Sequence, residues 1–154
     1  MQRFVADRML GKLAKWLRVL GCDVVYLKGA AEEEILEKLQ EGRTLLTRNR
    51  RARSWQGKGR VFVVKDNDPK IQLREVVKGL GLRDLEDAIF SRCLSCNHPL
   101  DKVGRDEVRQ EVPEYIYQTQ KEFHRCNNCG RIYWPGSHAV RMRQQLREIL
   151  EESE

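Results

Sequence analysis

The chain has 154 residues, 40% of them hydrophobic, with a formal net charge of +6. This length suits one domain plus a small appendage around one modest core, and no apolar run approaches the roughly 18–20 residues of a membrane span, so no membrane partner is expected. The charge is uneven: residues 1–91 hold 19 Lys and Arg against 13 Asp and Glu, and residues 92–154 hold 10 against 10. A localised basic excess points to an acidic partner, most simply nucleic acid, although a solvated surface rich in Lys, Arg and Glu has the same composition.

In chain order, Arg3-Phe4-Val5-Ala6 reads as a short strand. Met9 to Leu20 reads as a helix with an apolar stripe of Met9, Leu10, Leu13, Trp16, Leu17 and Leu20, ended by Gly21. Asp23 to Leu27 is a β-branched strand, and Glu32 to Gln40 a short helix with Ile35, Leu36 and Leu39 inward. Thr44-Leu45-Leu46-Thr47 lacks alternation, as a strand covered on both faces does. Arg60 to Lys65 is a further strand and Ile71 to Gly79 a helix. Strands alternating with helices predict an α/β fold with a parallel sheet and flanking helices. A boundary near Ser91 divides residues 1–90 from residues 91–154. The second part holds two cysteine pairs, strand-like material from Val112-Pro113 to Tyr117, and a last helix from about His138 to Glu152.

The pairs Cys93-Leu94-Ser95-Cys96 and Cys126-Asn127-Asn128-Cys129 carry the strongest signal. A two-residue gap lets two thiolates reach one metal from a tight turn, and two such turns complete a tetrahedral Cys₄ site suited to structural Zn²⁺. Gly130 suits the turn after the second pair. With little else to build a core, the second part is expected to depend on that metal. Cys22, the fifth cysteine, lies between Gly21 and Val24-Val25 and reads as a small buried hydrophobe. Five cysteines without a signal peptide's apolar stretch at Met1-Gln2-Arg3-Phe4 favour a reducing, cytoplasmic setting. His98, His124 and His138 all lie in the second part and are not needed as ligands.

In open parallel sheets, ligands bind beyond the carboxyl ends of the strands. Asp7 follows the first strand, Asn49 the third, and Asp66-Asn67-Asp68 the fourth, while the second leads to Glu32-Glu33-Glu34 at a helix start. Carboxylates gathered at one edge would hold a hard divalent cation, Mg²⁺ or Mn²⁺, which activates water and stabilises the leaving oxygen of a phosphodiester. Each acid also has an ordinary role, as a helix cap, an acidic first turn or a turn residue. Arg48, Arg50, Arg51, Arg53, Lys58 and Arg60 form a basic segment without an acid. With Gly57 and Gly59 it reads as a loop that could follow a phosphate backbone, with Trp55 stacking on a base. Arg8, Lys12, Lys15 and Arg18 form a polar face on the first helix that begins beside Asp7.

Four blocks together resemble the Mut-seven C-terminal RNase domain family: Phe4 to Arg18, Gly42 to Arg48, Cys93 to Asn97, and Cys126 to His138. The resemblance covers nearly the whole chain in order. It implies a PIN-like nuclease fold followed by a zinc ribbon, and metal-dependent cleavage of RNA with Asp7 as a first metal ligand. It also implies that Glu32 is the acid of the second motif, with Glu33 its alternate. The third motif of the family usually reads Leu-Leu-Thr-Arg-Asp; here Asn49 stands where that Asp is expected.

The expected function is therefore a ribonuclease whose Mg²⁺ or Mn²⁺ is held by Asp7, Glu32 and Asp68, with Asp66 nearby and Asn49 as a weakened ligand. Arg8, Lys12, Lys15, Arg48, Arg50, Arg51 and Trp55 contact RNA in this reading, and Cys93, Cys96, Cys126 and Cys129 hold structural Zn²⁺. The alternatives are an inactive RNA-binding protein that has lost the third acid, and an adaptor contacting a protein partner through the ribbon. The sequence assigns no oligomeric state.

Overall fold

The computed structural model describes residues 2–29 and 31–151. Two compact units divide the chain, Met1–Asn97 and His98–Glu154. The first is an α/β unit. It contains β1 (Arg3–Ala6), a 3-10 turn at Arg8–Leu10, α1 (Gly11–Val19), β2 (Asp23–Tyr26), α2 (Glu32–Gln40) and β3 (Thr44–Thr47). A 3-10 helix at Arg50–Lys58, β4 (Val61–Val63) and α3 (Pro69–Gly79) follow. The sheet order is β2-β1-β3-β4 and every neighbouring pair is parallel. All four carboxyl ends therefore lie at one edge.

Side chains alternate between the two faces of a strand, so β1 and β3 feed two cores. Val5 and Leu45 are register partners and pack with Leu39, Ala52, Ile35, Leu36, Trp55 and Val61 on one face. Phe4, Ala6 and Leu46 are fully buried between them along the strands, as are Leu13, Leu17 and Leu73 of α1 and α3. α1 and α3 pack together. The all-buried pattern of β3 matches its lack of alternation.

The second unit has β5 (Leu100–Val103), a 3-10 turn at Arg105–Val108, α4 (Glu114–Thr119), β6 (Phe123–Cys126), β7 (Ile132–Tyr133) and α5 (Ser137–Glu151). Its sheet, β5-β6-β7, is antiparallel. Val108, Val112, Ile116, Tyr117 and Phe123 form a buried cluster with Val103, Ile132 and Trp134 against it. Trp134 meets Phe123 edge-on, with ring centroids 6.3 Å apart.

Several expectations change. The segment from Val112 to Tyr117 is not strand but leads into α4, because Pro113 sits at the helix N-cap and Glu114 occupies the acidic first turn. The basic segment after β3 is a 3-10 helix rather than a loop, started by Asn49, whose Oδ1 accepts from Arg51 N at 3.0 Å. The second unit also has more apolar core than its composition promised. Met9 leaves the apolar stripe and stands 62% exposed in the turn before α1. Arg18 leaves the polar face. It is 8% exposed, and its guanidinium donates to Val24 O and to the carbonyls of Leu94 and Ser95. The last helix was expected to reach Glu152, which lies outside the described residues; it is seen to Glu151.

Candidate functional site

Two places carry chemistry. The first is the carboxyl edge of the parallel sheet. Ala6 is level with Leu46, and Thr47 with Val63, so the residues leaving β1, β3 and β4 emerge side by side. Asp7 is half-buried. Its Oδ1 accepts from Met9 N at 3.0 Å, capping the 3-10 turn, and its Oδ2 accepts from Thr47 Oγ1 at 2.5 Å. Thr47 is 2% exposed, and the same hydroxyl oxygen accepts from Asn49 N at 3.0 Å. A short chain of hydrogen bonds thus runs from Asp7 through Thr47 to Asn49. Nothing in the sequence marks Thr47, because only the β1–β3 register brings it to Asp7.

Beyond β4, Asp66 Oδ1 accepts from Asp68 N at 2.8 Å, and Asp68 Oδ1 accepts from Lys70 N at 2.9 Å as the N-cap of α3. Glu75, another acid missed in the sequence, turns back from α3 and accepts from Lys65 N and Asp66 N. Glu32 stands exposed in the first turn of α2. Each of Asp7, Asp68 and Glu32 therefore fills its ordinary helix-start position as well as standing beyond a strand end.

Among the described residues, the carboxylates of Asp7, Glu32, Asp66 and Asp68 do not meet as a group of three within metal-binding reach. A closed cage of acids is not their arrangement. Mg²⁺ commonly keeps several waters and takes one or two protein carboxylates; Asp7, half-buried after β1, offers one such carboxylate. Around this edge, Arg8, Lys12, Lys15, Arg50 and Arg51 are exposed. Arg48 is half-buried and donates from Nη2 to Lys65 O at 3.3 Å. Trp55 does not stand free for a base; it is half-buried on the cluster of Val5, Leu39, Leu45 and Ala52.

The second place is the cysteine group. The sulfurs of Cys93, Cys96, Cys126 and Cys129 all lie within 4.8 Å of one another. Both turns close in the same way: Asn97 N donates to Cys93 O at 2.9 Å, and Gly130 N to Cys126 O at 2.8 Å. Both turns then need a left-handed residue, supplied by Asn97 at φ 72° and Gly130 at φ 80°. Glycine takes that conformation freely, and asparagine tolerates it better than most residues. Four thiols at this spacing suit a tetrahedral metal with sulfur bonds of about 2.3 Å, consistent with Zn²⁺. No histidine joins the group among the described residues. Cys22 is 1% exposed, and burial pushes its thiol up to about 11, so it keeps its proton and stays out of the chemistry.

The first cysteine turn is fastened to the amino edge of the sheet. Asn97 Oδ1 accepts from Val24 N at 2.9 Å, and Asn97 Nδ2 donates to Asp23 Oδ1 at 2.6 Å. Arg43 forks onto both Asp23 oxygens at 2.8 and 3.3 Å and also donates to Phe4 O. Burial would raise the Asp23 carboxyl, but the hydrogen bonds from Arg43 and Asn97 outweigh it and hold the group below the usual carboxylate range.

A parallel sheet with polar strand ends at one edge, together with a group of four cysteines, defines an α/β protein with a candidate metal centre. The chain matches the Mut7-C RNAse domain over residues 2–146 and belongs to that family. It is also similar to a human protein described as "Exonuclease mut-7 homolog", 35% identical over 115 residues. That stretch is 70% of this chain but only 13% of the human protein. Both findings support a nuclease. No solved structure matches the chain.

Proposed function

We propose that this protein is a metal-dependent ribonuclease. Family membership supports the activity, and the observation that carries the site is Asp7 at the end of β1, held by Thr47 and joined through it to Asn49. In this reading residues 1–90 are a PIN-like nuclease domain and residues 91–154 a zinc ribbon with a C-terminal helix.

Bound at this edge, Mg²⁺ or Mn²⁺ would supply an activated water and charge stabilisation at the phosphodiester. Asp7 contributes the anionic oxygens. Thr47 donates to Oδ2 and Met9 N to Oδ1, which together fix the orientation of the carboxylate. Asn49 offers a neutral amide, so this side of the site lacks the charge an aspartate would bring. Glu32, Asp66 and Asp68 add acceptors through water. Arg8, Lys12, Lys15, Arg48, Arg50 and Arg51 hold the RNA backbone electrostatically. Cys93, Cys96, Cys126 and Cys129 keep Zn²⁺ in a closed, structural role.

The test is cleavage of end-labelled single-stranded and structured RNA by zinc-loaded protein, with Mn²⁺, Mg²⁺ or EDTA, beside Asp7→Asn. We expect cleavage that needs the added metal and falls at least about a hundredfold in Asp7→Asn. Full cleavage by Asp7→Asn would move the site elsewhere. Salt-sensitive RNA binding without any cleavage would favour the second reading, a binding protein inactivated at Asn49.

A further inference from the structure

We infer that the open edge of the parallel sheet, between β4 and α3, is a groove for single-stranded RNA running away from the strand-end site. This rests on the ribonuclease reading above and extends it to residues that reading does not use. The groove is a cleft of about 610 Å³ lined by Arg53, Val61, Phe62, Val63, Lys65, Glu75, Lys78 and Gly79. β4 is an edge strand, bonded only to β3, and the chain passes directly from the groove residue Lys65 to Asp66. A strand of RNA whose phosphate sits near Asp7 would meet this cleft next.

Charge favours a polyanion. Arg53, Lys65 and Lys78 are cations, and Lys65 and Lys78 are exposed. The one carboxylate in the lining, Glu75, accepts from Lys65 N and Asp66 N with both of its oxygens engaged, so its charge is turned onto the backbone just beyond β4. The floor favours a base. Phe62 is half-buried in the cleft. A Cβ at Gly79 would lie 2.5 and 2.7 Å from two atoms of its ring, so only glycine lets that ring lie against the end of α3. Cations along a partly exposed aromatic ring are the pattern that binds single strands with little sequence preference.

The experiment is RNA binding by the full zinc-loaded chain in EDTA-free buffer with Ca²⁺. It uses fluorescence anisotropy of a labelled oligouridylate across a salt series. Wild type, Lys65→Ala/Lys78→Ala and Phe62→Leu are compared, and thermal melting verifies that each variant is folded. Losing two phosphate contacts on a single strand should lower the slope of log affinity against log salt by about 1.4. Affinity of the double variant should fall about tenfold near 0.1 M salt, and Phe62→Leu should lose affinity without changing the slope. In cleavage assays the double variant should raise KM with kcat within about twofold, since the two lysines would bind the RNA equally before and during the reaction. Unchanged affinity and slope in folded variants that still cleave RNA would overturn the groove while leaving the ribonuclease reading intact. If wild type binds RNA as the variants do but never cleaves it, both fail.

Discussion

The proposed activity turns on Asn49. Its side-chain oxygen already accepts from Arg51 N, and its backbone N–H donates to Thr47. An aspartate can make both contacts, so Asn49→Asp should fold as the parent does while adding a negative charge at the residue whose backbone N–H is linked through Thr47 to Asp7. More anionic ligand oxygen strengthens divalent-cation binding. The Mn²⁺ concentration for half-maximal RNA cleavage should therefore fall about tenfold, equivalent to about 1.4 kcal/mol. An unchanged midpoint would take position 49 out of the metal site. At this scale the sequence made Asp7 and Asn49 visible, because each lies within two residues of the end of a recognisable strand. Thr47 was hidden, since its role comes from register across β1 and β3. Arg18 was hidden too: helical spacing put it among lysines, while the carbonyls of Val24, Leu94 and Ser95 draw it inward. Trp55 looked free because its neighbours are basic, yet Val5 and Leu45 give it a surface to cover.

Among the elements, β1, α2 and β3 were legible to the residue, because each is a run of one periodicity bounded by polar or glycine residues. The 3-10 helix and α4 were less so: the first carries Gly57 and Lys58 at its end, and in the second Val112 and Tyr117 mask a Pro-Glu helix start. What keeps the strands in register at their amino edge is polar. Arg43 ties Asp23 of β2 to Phe4 of β1 from its place just before β3. The Asp23 carboxyl is held below its unfolded value, so its contribution is present above about pH 4 and is lost as pH falls through the folded value. Asp23→Asn should thus cost about 1–3 kcal/mol at pH 7 by taking from half-buried Arg43 its forked carboxylate partner, with only Glu41 left to pair with it. The gap to the parent should narrow steadily as urea unfolding is repeated from pH 5 down to about pH 3. An equal gap at both ends of that range would mean that packing, and not the ion pair, carries the effect.

For the molecule as a whole, size predicts that the second unit depends on a metal. The unit His98–Glu154 rests on a cluster of five buried side chains, with Met142, Leu146 and Ile149 buried on α5. A core of that extent rarely supplies more than about 3–5 kcal/mol, whereas a structural Zn²⁺ contributes more than that to folding. An ion would also relieve the four thiols: brought together without it, they either stay protonated or repel as thiolates. The first unit has its own two-faced core in Phe4, Val5, Leu45 and Leu46 and needs no metal for it. Chelation at pH 7 should therefore act unevenly. Tryptic cuts should open first after Lys102, Arg109, Lys121 and Arg131, while Arg18 and Arg43, engaged with backbone carbonyls, stay protected. Cys126→Ser should show the same pattern before any chelator is added, and added Zn²⁺ should restore protection to the chelated parent but not to the variant. If the second unit resists trypsin with its metal removed, its apolar cluster is sufficient alone. The cysteines would then serve some purpose other than holding that unit together.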